Sequence, residues 1–190
     1  MTLRGCIIAM ESLALLVCQG CAQMNHPSAQ TSAGRVRPVA ASDLDRVEDF
    51  CQEKFHRYTA YQPLYYNVAS DSRAKHLLYL AAQMTAGKQI MLVHENAGRI
   101  DGFLMANILA PPPIYDSKLV TCMVDDFVVA DPSLWPTTGA ALLDEAERLA
   151  KSRGAIQTVA VCGHGDESKR QFLASRGLTI SAEWYTKPMP

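Results

Sequence analysis

Between Val129 and Leu142 the chain carries Pro136-Thr137-Thr138-Gly139, a tight polar turn set between a β-branched run and a helical pattern. A turn of this kind opens a helix whose first backbone N–H groups have no intrahelical partners, and the helix dipole adds partial positive charge there. An anion is favoured at that end, so the stretch offers a seat for a phosphorylated cofactor. Ahead of it, Asp126-Phe127-Val128-Val129 reads as a strand. Behind it, Leu142, Leu143, Ala146, Leu149 and Ala150 share one stripe of an amphipathic helix that Gly154 closes. The pairs Asp144/Arg148 and Glu147/Lys151 suit a solvated helix face and need no ligand to explain them.

Strand, turn and Leu-Leu helix together resemble the GNAT superfamily of acyl-CoA-dependent N-acetyltransferases, and the resemblance extends over residues 35–190. In that family a strand ending in Val leads into an Arg/Gln-x-x-Gly-x-Gly/Ala signature, which falls here on Leu134, Thr137 and Gly139. Only Gly139 keeps the expected residue. The resemblance implies acetyl-CoA as cosubstrate, its pantetheine arm paired with the backbone of Phe127, Val128 and Val129 in the manner of an added strand. Its pyrophosphate would rest on the N–H groups of Thr137, Thr138, Gly139 and Ala140. Such contacts are made by the backbone, so the turn survives loss of the signature side chains, and a Thr hydroxyl can itself donate to phosphate.

The resemblance also implies direct acetyl transfer to a primary amine, carried by a small molecule or a peptide. Such a transfer needs a neutral amine, a polarised carbonyl and a proton for the departing thiolate. Asp125 and Asp126 are adjacent on a strand and are expected on opposite faces. Asp126 is the candidate base or amine-binding anion, or else a strand-end carboxylate held by a neighbour. In the last helix the family often has an Asn at the start and a Phe-Tyr pair near the end, the Tyr acting as acid. Asp166, Phe172 and Leu173 stand at those positions here, and Leu173 carries no proton to give. His164, within Gly163-His164-Gly165, is a candidate for acid/base chemistry or a solvated turn residue; Tyr185 or water can supply the proton equally. A degenerate acyl-CoA-binding or regulatory module is the alternative to an enzyme.

The elements that must position these residues follow from pattern. Arg35 to Ala40 is a short strand, and Ser42-Asp43-Leu44-Asp45 resembles a capping box for a helix with Leu44, Val47, Cys51 and Phe55 on one face. A Tyr-rich loop spans Arg57 to Asn67. The next helix begins near Asp71 and carries Ala74, Leu77, Leu78, Ala81 and Met84 inward. Strands near Gln89–Glu95 and Arg99–Ala110 join through Asn96-Ala97-Gly98, and another runs from Lys118 to Ala130. After the central helix come a strand at Ile156–Cys162, a helix from Asp166 to Arg176, and a final strand with alternating Leu178, Ile180, Ala182 and Trp184. The order β-α-α-β-β-β-α-β-α-β is that of a GNAT domain, and the resemblance implies an α/β (α+β) fold with a mixed, splayed central sheet of about six to seven strands flanked by about four helices.

The whole chain of 190 residues is 48% apolar and 19% charged with a net charge of −1, which fits one domain with a sizeable core at 35–190 and no nucleic-acid surface. Residues 1–34 read differently, as a leader or extension. Arg4 precedes an apolar run that Glu11 interrupts, too short for a stable membrane span. Cys21 is a lipidation candidate if the leader is real, and Met10 and Met24 are alternative starts. Cys18 and Cys21 lack further ligands at zinc spacing, so no metal is expected; Cys51, Cys122 and Cys162 read as core thiols. A cytoplasmic location follows from acetyl-CoA use, with export or lipid anchoring as the alternative, and the final strand suggests a homodimer.

Overall fold

The computed structural model describes residues 34–190. The expected leader, with Cys18 and Cys21, lies outside the described residues. Five strands form one mixed sheet in the order β1 (Arg35–Pro38), β2 (Ile90–Asn96), β3 (Arg99–Leu109), β4 (Thr121–Val129) and β5 (Gln157–Ala160). The first three neighbouring pairs are antiparallel, and β4 and β5 are parallel. Helices α1 (Leu44–Tyr61), α2 (Ser72–Ala86), α3 (Ala140–Ser152) and α4 (Glu167–Ser175) complete the α/β fold. No helix among the described residues is long and apolar enough to cross a membrane.

Side-chain alternation along β2, β3 and β4 feeds two cores, one on each sheet face. Leu104, Cys122, Val124, Phe127 and Val129 pack with Leu142, Leu143 and Ala146 of α3 and with Phe172 and Leu173 of α4. Phe103, Met105 and Val128 pack with Val47, Phe50 and Cys51 of α1 and Leu80 of α2. A β-bulge breaks the alternation: Met105 faces Asp126 and Ala106 faces Val124, so Asp125 has no partner on β3. Val124 and Phe127 consequently share the α3/α4 face, and Asp126 and Val128 share the other. Asp125 and Asp126 were expected on opposite faces; with the extra residue both line one cleft beside α1 and α2.

The β2–β3 hairpin turns on Ala97 (φ 49°) and Gly98 (φ 75°), both left-handed, as a two-residue turn of the primed type requires. Glycine adopts this conformation freely and alanine does not. Ala97→Gly is expected to stabilise the chain by about 1 kcal/mol, read as a higher urea midpoint at unchanged slope.

Four further expectations are corrected. Helix α1 continues to Tyr61, so Tyr58 and Tyr61 are helical rather than part of a loop. Helix α2 is turned so that Leu80 is buried and Leu78 exposed, which carries His76 toward α1 and β4. The final strand is absent: Ile180, Trp184 and Tyr185 are exposed, and the sheet has five strands instead of six to seven. Beside β5, an edge of the sheet among the described residues, such a strand would meet only four residues, too few ladder bonds to order the longer tail. Asp43, not Ser42, closes the 3-10 turn Ala41–Asp43 that leads into α1: its carboxylate accepts the Ala40 N–H at 2.7 Å and is gripped by the Arg37 guanidinium.

Candidate functional site

Strands β4 and β5 pair only from Thr121/Gln157 to Val124/Ala160, with one more bond from Val161 N–H to the Val124 carbonyl. Beyond that point they part, and the bulge at Asp125 marks where. The edge of β4 facing β5 is left without a strand from Asp125 to Val129, forming a wedge. Phe127 turns its carbonyl into it, and by ladder alternation Val129 does the same, while Val128 bonds toward β3.

At the wide end of the wedge the chain enters α3 through a five-residue π-turn, Trp135–Gly139. Such turns widen a helix locally and are frequent at functional sites. The Ala140 N–H is committed to the Trp135 and Thr137 carbonyls. Thr138 is buried with its hydroxyl 3.4 Å from His94 Nδ1, and Gly139 lies against the Trp135 ring, where a Cβ would come within 2.7 Å. Thr137 is the residue of the turn, beside Pro136, that faces out. Leu134 packs at the margin of the α3/α4 core. A cavity of about 340 Å³ adjoins this turn, lined by Val129, Ala130, Pro132 and Trp135 on one side and by Arg57, Tyr58 and Asp166 on the other.

Asp166 caps α4 by accepting the Lys169 N–H, and the Tyr58 hydroxyl donates to it at 3.4 Å. The same hydroxyl accepts the Gly163 N–H at 3.1 Å. Glycine suits this position, because a Cβ on Gly163 would come within 2.7 Å of the buried Tyr58 ring as well as meeting the Tyr61 hydroxyl. His164 is exposed beside this contact and lines the larger cleft. That cleft, about 2230 Å³, is bounded by Tyr61, Tyr65, Tyr66, His76, Tyr79 and Asp125, with the C-terminal tail along its far side.

Asp126 is 7% exposed and ion-paired with Lys54 of α1. His76 of α2 lies 3.7 Å from its other oxygen and 2.5 Å from Glu48, which is fully buried. Burial alone would raise the Asp126 carboxyl, but the Lys54 charge, the Lys54 hydrogen bond and the nearby His76 ring outweigh it and hold Asp126 far below the usual carboxylate range. His76 is pulled down by burial and more strongly upward by Asp126 and Glu48, so its net shift is up. Two carboxylates thus face one ammonium and one imidazole in a single buried network. Cys51 Sγ lies within 4.8 Å of His76 and Asp126, a metal-like trio, but Lys54 already neutralises Asp126 and burial pushes the Cys51 thiol well up. Tyr185, the other hydroxyl the sequence offers, is exposed and donates to Glu183.

One group went unnoticed in the sequence. Lys169 of α4 is 1% exposed, and its Nζ donates to the Phe127 carbonyl at 3.1 Å and the Val161 carbonyl at 2.9 Å, bridging the wedge where the strands part. The signal was its spacing: Lys169, Phe172 and Leu173 stand at i, i+3 and i+4 on the buried face of α4. Lys54 is legible in the same way, one turn from Cys51 and Tyr58 on the apolar side of α1.

No family model and no curated protein matches the chain. Solved structures do. A predicted acetyltransferase from Clostridium acetobutylicum, solved with acetyl-CoA, is 13% identical, aligns over 82% of this chain and 96% of its own, and gives a TM-score of 0.63. A GCN5-related N-acetyltransferase from Ralstonia eutropha is 19% identical over 82% of this chain and 98% of its own, with a TM-score of 0.63. An aminoglycoside antibiotic 6'-N-acetyltransferase from Acinetobacter haemolyticus is 15% identical over 82% and 99%, with a TM-score of 0.59.

Proposed function

From the premise that the chain has the fold of the GCN5-related N-acetyltransferases, we propose that it transfers an acetyl group from acetyl-CoA to a primary amine by direct transfer. The observation that carries this reading is the wedge: an unpaired β4 edge that runs from the bulge at Asp125 straight into the start of α3.

The donor set fits an acyl-pantetheine phosphate. The backbone of Val129 faces the wedge, the outward Thr137 hydroxyl and N–H stand at the positive end of α3, and Arg57 adds a cation across the mouth cavity. When bound, acetyl-CoA supplies the acyl group as an activated thioester. On the other side of β4, the exposed Asp125 carboxylate draws a cationic amine into the cleft, and the tyrosines around it suit a cation or an aromatic ring. Asp126, held ionised, acts as a fixed anion rather than as a base near neutral pH. His164, exposed at the same cleft, is the imidazole available to accept the amine proton.

A second reading, an acyl-CoA-binding or regulatory module without turnover, is favoured by one observation: Lys169 already holds the Phe127 carbonyl, which a paired pantetheine arm would seek. Calorimetric titration with acetyl-CoA, followed by a screen of amine acceptors, separates the two. The control is Thr137→Glu, because a bulky residue at Gly139 would collide with Trp135, whereas Thr137 is exposed. A carboxylate at this position suits the helix dipole and leaves the fold intact, yet repels phosphate; affinity is expected to fall about tenfold or more. Equal affinity in the variant removes the turn from the site, and absence of binding in the native chain rejects both readings.

A further inference from the structure

Lys169 is an expensive residue to keep. Its ammonium is buried with no carboxylate in hydrogen-bond reach, held by two backbone carbonyls and flanked by the Phe127 ring at 5.4 Å and the Trp135 ring at 5.9 Å. Burying a charge on neutral partners costs more than pairing it, and a methionine would fill the same space without that cost. An ammonium carries three N–H donors, and two are spent on Phe127 and Val161. The third is unassigned, at the apex of the wedge, one helical turn before Leu173, where the sequence lacks an acid.

We propose that Lys169 is the proton donor to the thiolate that leaves when an amine takes the acyl group. The inference rests on the acyl-CoA reading of the wedge. As the amine nitrogen bonds to the thioester carbonyl carbon, the C–S bond breaks with its electron pair on sulfur. Lys169 gives one Nζ proton to that sulfur, leaving coenzyme A as the neutral thiol. The proton lost by the amine goes to His164 or water, and Lys169 is reprotonated from solvent when the product departs.

The environment supports that exchange. Burial pulls the Lys169 amine down to about 8, close to the range of an ordinary thiol, so the proton can pass in either direction at modest cost. The ionisable groups around it act in both senses: Cys162 beyond β5, Asp166 at the cap of α4 and Asp126 on β4 favour the charged amine, and Lys54 on α1 opposes it. The hydrogen bonds to both strands fix the Nζ against the drift that a four-carbon stem would otherwise allow.

Free coenzyme A, which carries the thiol itself, is the probe. Its ultraviolet thiolate band is followed against pH with the full chain in excess, for the native protein and for Lys169→Met and Lys169→Arg, with binding checked by calorimetry. An ammonium at the sulfur lowers the bound thiol by about one pH unit or more. Lys169→Met abolishes the shift, and Lys169→Arg retains it, since a guanidinium keeps the charge. A bound thiol that titrates as in free solution overturns the role of Lys169 while leaving the acyl-CoA reading in place, and this result needs no variant to fold. Persistence of the shift in Lys169→Met overturns it as well. Failure of coenzyme A and acetyl-CoA to bind overturns both.

Discussion

Replacing Asp126 with alanine is expected to remove about 3–5 kcal/mol of stability, because it strands the buried Lys54 ammonium with no counter-charge. Lys54 is 7% exposed and its partner is Asp126; the other carboxylate of the network, Glu48, is engaged by His76 and Gln52. A surface pair broken in this way would cost little, since water would solvate the orphan. Here little of either group reaches water. Urea unfolding of the variant at neutral pH measures the loss, and a change below about 1 kcal/mol would mean that the network is solvated or that Lys54 reaches another anion. A double replacement, Asp126→Leu with Lys54→Met, is expected to recover most of the loss, since it removes both charges together.

The same network fixes the direction of the pH dependence. Asp126 is depressed, so its contribution is fully present above the ordinary carboxylate pKa and is lost only as pH falls through its lowered value, in strong acid. His76 is raised, so its contribution is full below the ordinary imidazole pKa and is lost as pH rises through its elevated value. The contribution of this network therefore declines on the alkaline side first. Removing Asp126 takes away one of the two carboxylates that raise His76, so in Asp126→Ala that decline is smaller and is complete at lower pH. Urea midpoints from neutral to alkaline pH locate the end of the decline in each protein, and coincident end points would separate His76 from Asp126.

How far this site can be read from the chain alone depends on which physical rule each residue obeys. Thr137, Thr138 and Gly139 mark the start of α3 because turn chemistry is local. The two cores are legible in β2 and β3 because alternation is local as well. The bulge is not: one additional residue in β4 against β3 is a property of the pair, and it reverses the face of Asp126 without any sign in β4 itself. The final strand fails for the converse reason. Leu178, Ile180, Ala182 and Trp184 alternate as a strand should, but a strand requires a partner, and β5 is four residues long. Lys54 and Lys169 were readable as charges on apolar helix faces. Their meaning was hidden, since only the fold brings Lys54 to Asp126 and Lys169 to two carbonyls on separate strands.

Trp135→Ala carries the second large expected effect, a loss of about 3–5 kcal/mol, and it couples stability to the cofactor seat. The indole is 5% exposed, stacks on Phe172 at 5.2 Å and receives the Phe127 edge at 4.9 Å. Three elements meet on it: β4 through Phe127, α4 through Phe172, and the start of α3 through Gly139, which packs on its face. Truncation leaves a cavity that these neighbours cannot fill, since Phe127 and Phe172 are anchored in separate elements. The π-turn then loses the surface that holds its widened geometry, and Thr137 loses its fixed outward aim. Acetyl-CoA affinity is therefore expected to fall at least tenfold even under conditions where the variant stays folded. Trp135→Phe keeps most of the ring contact and should cost about 1–2 kcal/mol with a smaller loss of affinity. Calorimetry on folded samples of both variants tests the coupling. Native affinity in a destabilised Trp135→Ala would show that the turn holds its shape without the indole, and would move the phosphate seat away from the start of α3.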